Sequence, residues 1–297
     1  MATGNVSREA RPSATPVLIA SFFTLAGPIS PFAPPVVSPV PLHRRAEAAA
    51  RAGFRGIGFT TTDLEYTLRV HPYGEIRRIL ADNGLDHVEI EFIGDWLSTP
   101  DENPGAHRDR NFIIASAAEI GAVHVKAGTA GPEVPLEVMI ERFATLCDEA
   151  RGAGAGVALE FSPIGRIADL STARALALGA GRARGGLLLD IWHLTRMGVN
   201  FADLAALPRE IIVHVELSDG PLALVGDYWQ DTISNRVTCG EGEFDVAGFL
   251  GAIAATGYDG PYGVELLSDR FRAMDTDEMA RLAVGTTLAH FTRQPVS

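Results

Sequence analysis

Along this chain, short apolar runs alternate with stretches in which apolar residues recur every three or four positions. The runs at residues 17–25, 54–59, 87–93, 122–127, 157–161, 186–193, 211–217 and 263–267 have the length and composition of strands. Between them, 42–52, 73–83, 108–120, 136–150, 171–179, 201–207, 245–256 and 278–291 have the periodicity of helices. The helix over 136–150 is the clearest. Leu136, Met139, Ile140, Phe143, Leu146, Cys147 and Ala150 share one face, and Pro135 starts it. Gly53, Gly84 and Gly121 stand where helices stop, and Asp275 and Glu278 have the spacing of a capping box. The central strands read as continuous apolar runs (VALEF, GLLLDIW, IIVHVEL), as a parallel sheet covered on both faces requires. Eight strand–helix units predict a single-domain α/β fold, a (β/α)8 TIM barrel over 17–297. A doubly wound sheet is the competing architecture, but no strand leads into a G-x-G-x-x-G turn. Long loops are expected beside His71 and over 95–107 and 219–242.

Composition narrows the class of partner. The 297 residues carry a net charge of −12 and a pI near 5.1. That balance argues against nucleic acid and against an anionic membrane surface, both of which are bound through clustered Lys and Arg. No apolar run approaches a membrane span. The two cysteines, Cys147 and Cys239, write neither a disulfide framework nor a Cys-rich metal site, so a cytoplasmic location is expected. Residues 1–16 are polar and rich in Ala and Pro, and are expected to form a disordered arm rather than a signal peptide.

Catalytic groups of a barrel sit at the C-terminal ends of its strands. Four predicted strand ends carry an acid: Glu160 in VALE, Asp190 in LLLD, Glu216 in VHVE and Glu265 in YGVE. A carboxylate at the end of an apolar run is costly to bury unless it is paired, protonated or bound to a cation. One such acid is explained equally well by a salt bridge to an arginine. Four converging on one barrel mouth point to a divalent ion, and hard oxygen donors suit Mn²⁺ or Mg²⁺, with Co²⁺ or Zn²⁺ as alternatives. Lys126 ends VHVK and Glu91 lies near the end of VEIEF. Either could touch a substrate hydroxyl or carbonyl, and an ion pair between them explains both. Trp96, Trp192 and Trp229 are candidate pocket walls. Motifs for a serine hydrolase elbow, a P-loop, a zinc protease helix or a zinc deaminase are absent from the sequence.

The segments ALEFSP, LLLDIWH, HVELSDG, RVTCGEGEF and GYDGPYGVELLS resemble the xylose isomerase-like barrels. That group includes sugar phosphate isomerases and epimerases, ketose 3-epimerases, inosose and dehydroshikimate dehydratases, and apurinic endonucleases. The resemblance implies one metal held by Glu160, Asp190 and Glu265 from the fifth, sixth and eighth strands and by a residue of the seventh. There the chain departs from the usual His or Gln. It reads E-L-S-D, with Glu216 at the ligand position, Asp219 at the following acid and His214 two residues earlier as the alternative ligand. The resemblance also implies a catalytic role for His193 and a substrate contact for Arg236. The activity it implies is isomerisation or epimerisation of a small sugar, keto-sugar or cyclitol through a metal-stabilised enediolate, with Glu160 and Glu265 exchanging protons. Dehydration by a lyase of the inosose or dehydroshikimate dehydratase kind is the alternative, since it shares the first step. A phosphodiesterase is disfavoured by the acidity and by only 8 histidines, and a non-enzymatic sugar-binding barrel by the retained acids. Assembly into a homo-oligomer is compatible with this reading.

Overall fold

A computed structural model describes residues 15–291. The expected N-terminal arm, but for its last two residues, lies outside the described residues. Eight parallel strands close into a barrel in chain order: β1 (Leu18–Ala20), β2 (Gly56–Thr60), β3 (His87–Ile93), β4 (His124–Ala127), β5 (Gly156–Glu160), β6 (Gly185–Asp190), β7 (Ile212–Leu217) and β8 (Tyr262–Val264). The closing pair joins Leu18 to Tyr262 and Ala20 to Val264.

Side-chain alternation assigns each strand two roles. Outward residues such as Val125, Val157, Leu159, Leu187, Leu189 and Val215 join the apolar layer beneath the helices. Inward residues fill the bore. In β5 and β6 the lower inward positions are Ala158 and Leu188, so these strands read as apolar until their terminal acid. In β7 the expected continuous apolar run is instead an alternation, and β3 and β4 alternate in the same way. Glu89 and Glu91, His124 and Lys126, and His214 and Glu216 are buried toward the bore. Barrel interiors are ordinarily packed with branched apolar residues, so this bore is polar over two levels.

The edges of the elements differ from their sequence reading. β1 stops at Ala20, and a short helix, Phe22–Leu25, follows Ser21. β8 ends at Val264, so Glu265 lies just beyond it. The helix expected from 108 begins at Pro104, four residues earlier, capped by the Asn103 side chain. Helices at Thr61–Leu68, Ile191–Arg196 and Tyr228–Ser234 were not expected. The last of these lies inside the predicted 219–242 loop. Asp227 caps it by accepting from the Gln230 amide at 2.8 Å, and the buried Arg196–Asp231 pair anchors it at 2.7 Å. Asp219 organises the rest of that loop, with its carboxylate accepting from the amides of Gly220, Gly240 and Phe244. The final helix, Thr276–Phe291, starts on the predicted cap: Asp275 accepts from the Asp277 and Glu278 amides. Among the described residues no helix is long and apolar enough to cross a membrane.

Candidate active site

A cavity of about 530 Å³ opens at the C-terminal mouth of the barrel. Glu91, Glu160, His193, Arg236 and Glu265 all line it, beside the hydroxyls of residues such as Thr60, Ser162 and Tyr228. Its walls are largely apolar and include the rings of Phe23, Phe32, Phe92 and Trp229. Register shifts between Ile90 and Ile93 at the end of β3, and both Glu91 and Phe92 reach the cavity. An irregularity of this kind re-aims consecutive side chains to one side.

Oxygen atoms of Glu160, Asp190, Glu216 and Glu265 all lie within 4.8 Å of one another. The strand periods that end in an acid therefore bring the four together at one level. Two buried cations interleave with them. Arg236 Nη1 lies 2.9 Å from Asp190 Oδ2 and 3.0 Å from Glu265 Oε2. Lys126 Nζ lies 2.5 Å from Glu216 Oε1, 2.9 Å from Glu89 Oε1 and 3.2 Å from Glu91 Oε2. Ser21 Oγ also donates to Glu216 Oε1 at 2.9 Å. Glu216 Oε2 and Glu91 Oε1 are buried without a hydrogen-bond partner.

These contacts explain the acidities. Burial, with the Glu265 charge nearby, pushes the Glu216 carboxyl well above the usual range despite Lys126. Burial likewise raises Glu265, against the pull of Arg236 and Lys126, and lifts Glu91 to about 8. Burial alone would lower Lys126, but the carboxylates of Glu216, Glu89, Glu91 and Glu265 outweigh it and hold the ammonium protonated. Glu160 behaves differently. Its burial is overcome by the His193 hydrogen bond and charge, so it stays below the usual carboxylate range. His193 is raised in turn, because Asp190 and Glu160 outweigh its burial. His193 Nε2 is 3.0 Å from Glu160 Oε1, and its Nδ1 is 2.5 Å from the Tyr228 hydroxyl. Glu160 and His193 thus each favour the charged form of the other, in a ring of acids whose charges oppose one another. A divalent cation resolves that conflict, and the all-oxygen donor set with an unpartnered Glu216 oxygen fits one.

Residues 46–286 match the family described as the xylose isomerase-like TIM barrel. The chain belongs to this family. A 3-dehydroshikimate dehydratase of Pseudomonas aeruginosa is 30% identical over 243 residues, which is 79% of this chain and 37% of that protein. An inosose isomerase of Halalkalibacterium halodurans is 30% identical over 156 residues, 50% of this chain and 53% of that protein. The chain thus spans about a third to a half of these relatives. Among solved structures, the IOLI protein with a bound zinc atom has the same fold, with a TM-score of 0.80, 18% identity, and coverage of 95% of this chain and all of that one.

Within this family fold, the predicted site residues separate by depth. Glu160, His193, Arg236, Glu265 and Glu91 reach the cavity, whereas Asp190 and Glu216 sit behind its surface. Lys126 is fully buried beneath the floor and does not line the cavity, so the Lys126–Glu91 ion pair weighed from the sequence is present. His214 does not join the four acids. It lies one level lower, grouped with Glu89 and His124. Of the three tryptophans only Trp229 is a wall. Trp96 is buried against Phe143 and donates to the Gly128 carbonyl, and Trp192 is buried against Phe244. Sequence reasoning missed Tyr228, Ser21, Glu89 and His124. The period-two patterns V-E-I-E and V-H-V-K carried the signal for the last two.

Proposed function

We propose that this barrel binds one divalent ion through Glu160, Asp190, Glu216 and Glu265 and removes a proton from the carbon beside the carbonyl of a small polyhydroxylated keto substrate. The observation that carries the reading is the 3.0 Å contact of Glu160 with His193 at the floor of a largely apolar cavity. A bound divalent ion would polarise the carbonyl and so acidify its neighbouring C–H. Glu160 is the base, kept ionised by His193. Tyr228 fixes the imidazole by occupying Nδ1, which leaves Nε2 facing Glu160. Arg236 holds Asp190 and Glu265 in place while presenting its own surface to the cavity. Glu265, from three strands round the barrel, returns the proton. The aromatic walls and the small volume exclude bulk water and select a compact ring.

Return of the proton to carbon gives isomerisation or epimerisation. Delivery of the proton to a β-hydroxyl gives loss of water. The dehydratase relative aligns over 79% of this chain and the inosose isomerase over 50%, which favours dehydration of a keto-cyclitol as the outcome. The test is proton NMR in D2O with Mn²⁺- or Mg²⁺-loaded protein and a panel of 3-dehydroshikimate, inososes and ketoses. Appearance of an unsaturated product identifies the lyase, whereas deuterium at carbon without loss of water identifies the isomerase or epimerase. Absence of both across the panel overturns the proton-abstraction reading.

A further inference from the structure

One level below the acid ring, Glu89 of β3, His124 of β4 and His214 of β7 meet at the centre of the bore, each almost completely buried. Glu89 Oε2 lies 3.2 Å from His124 Nε2 and 3.3 Å from His214 Nε2, and the two imidazoles are 4.4 Å apart centre to centre. Both separations are ion-pair distances. Glu89 Oε2, His124 Nε2 and His214 Nε2 all lack a hydrogen-bond partner, as does His214 Nδ1. Leaving a buried polar atom unpaired costs about 1–3 kcal/mol. The ion pairs to Glu89 Oε2 offset part of that cost, and a cation held among the three groups would offset more.

The same distances have a simple meaning around a metal. Nitrogen and oxygen ligands bound tetrahedrally at about 2.0–2.1 Å sit roughly 3.3 Å from one another. The two measured edges match that spacing. Space is also reserved: a Cβ on Gly263 would lie 2.7 Å from His214 Nε2, so only glycine leaves that nitrogen unobstructed. The second oxygen of Glu89 is already held by Lys126 at 2.9 Å, which fixes the carboxylate's orientation.

We propose that Glu89, His124 and His214 form a second metal site, sealed in the barrel core and distinct from the acid ring above. Two imidazoles and one carboxylate select Zn²⁺ or Co²⁺, whereas the four carboxylates above suit Mn²⁺ or Mg²⁺. Water completes the lower coordination. Because its ligands are closed off from solvent, the ion enters as the barrel folds and leaves very slowly. The site does not depend on the chemistry proposed for the cavity.

The test is to refold the full chain in the presence of Zn²⁺ and Mn²⁺, dialyse it against a chelator, and count metals. The expected result is one retained zinc per chain in the wild type and in Glu160→Gln, and none in folded His124→Gln or His214→Gln. Zinc lost from Glu160→Gln but kept in the histidine variants assigns the ion to the upper ring and overturns the proposal. So does wild-type protein that retains no zinc. Should the histidine variants fail to fold, the zinc K-edge spectrum of the wild type decides. Scattering from two imidazoles supports the site, and an all-oxygen shell overturns it. Failure of the substrate panel with zinc retained would sink only the proposed reaction.

Discussion

At the floor of the cavity, Glu160, Asp190, Glu216 and Glu265 crowd four carboxylates around shared cations, and the ring opens to the barrel mouth. Two residues lower on β7, and on β3 and β4 across the bore, one carboxylate faces two imidazoles in a closed core. Only β7 supplies a member to each level, His214 below and Glu216 above, because side chains two apart share a face. The contrast shows that a barrel bore holds charge in two ways. Where it meets a pocket, excess negative charge is kept under strain for a cation and a substrate. Where it is sealed, one carboxylate is set against a lysine and two imidazoles. Burial and the adjacent His124 push the His214 pKa well below its usual value, while Lys126 and the two imidazoles overcome burial to hold the Glu89 pKa well below its own. Lys126 is the hinge of the comparison, since its ammonium contacts Glu216 above and Glu89 below.

The largest effect should come from removing that ammonium. Lys126→Met leaves Glu89, Glu91 and Glu216 without their common partner. Breaking a buried pair from one side costs about 3–5 kcal/mol, so urea unfolding should show a loss of that order, partly recovered when Mn²⁺ is added. A loss below about 1 kcal/mol, by the same scale, would mean that the two levels are not electrically joined. Glu160→Gln probes the upper level alone. Turnover should fall by roughly 100-fold or more, as expected for a missing general base, while the thermal midpoint hardly moves. Near-normal turnover with metal restored would reduce Glu160 to a ligand. Tyr228→Phe should lower turnover by about tenfold, the usual scale for a residue that orients a catalytic histidine, and leave KM little changed. If KM alone rises, Tyr228 acts on the substrate rather than through His193. The smallest effect belongs to the cavity rim, where Trp229 meets Phe32 edge to face at 5.2 Å. Trp229→Ala should raise KM by no more than about tenfold, since one aromatic contact is worth roughly 0.5–1.5 kcal/mol beyond its area, with kcat preserved.

The barrel was legible because helix and strand periods alternate cleanly through eight units. The acid ring was legible because four apolar runs each end in an acid at the same end of the barrel, which single salt bridges explain less well than a shared site. The helices at Thr61–Leu68 and Ile191–Arg196 were hidden because each continues directly from a strand without a glycine or proline between them. Asp190 shows why. It ends β6 and also caps the next helix, its Oδ1 accepting from the Trp192 amide at 2.9 Å, so one residue serves as strand terminus, helix start and member of the ring. That helix then turns His193 back to within 3.5 Å of Asp190. The lower level was obscured by V-H-V and V-E-I, which read as apolar runs broken once, whereas the polar residue between two valines faces a different neighbour altogether. Trp96 and Trp192 went to the core because ring size alone does not distinguish a wall from a filler. Both are fully packed, with their indole N–H groups satisfied at Gly128 and Thr232.

Trp229 stands apart from those two. It is the half-exposed member of the three tryptophans, at 52% accessibility, and it overhangs the cavity, while the others are at most 1% accessible. Its emission should therefore dominate the red edge of the protein's intrinsic fluorescence and respond to iodide, while the buried pair contributes a shielded blue component. A compact ligand entering beneath Trp229 would shift and protect only the red fraction. The barrel thus carries an optical reporter of occupancy at its own mouth, usable for screening ligands before any turnover is known.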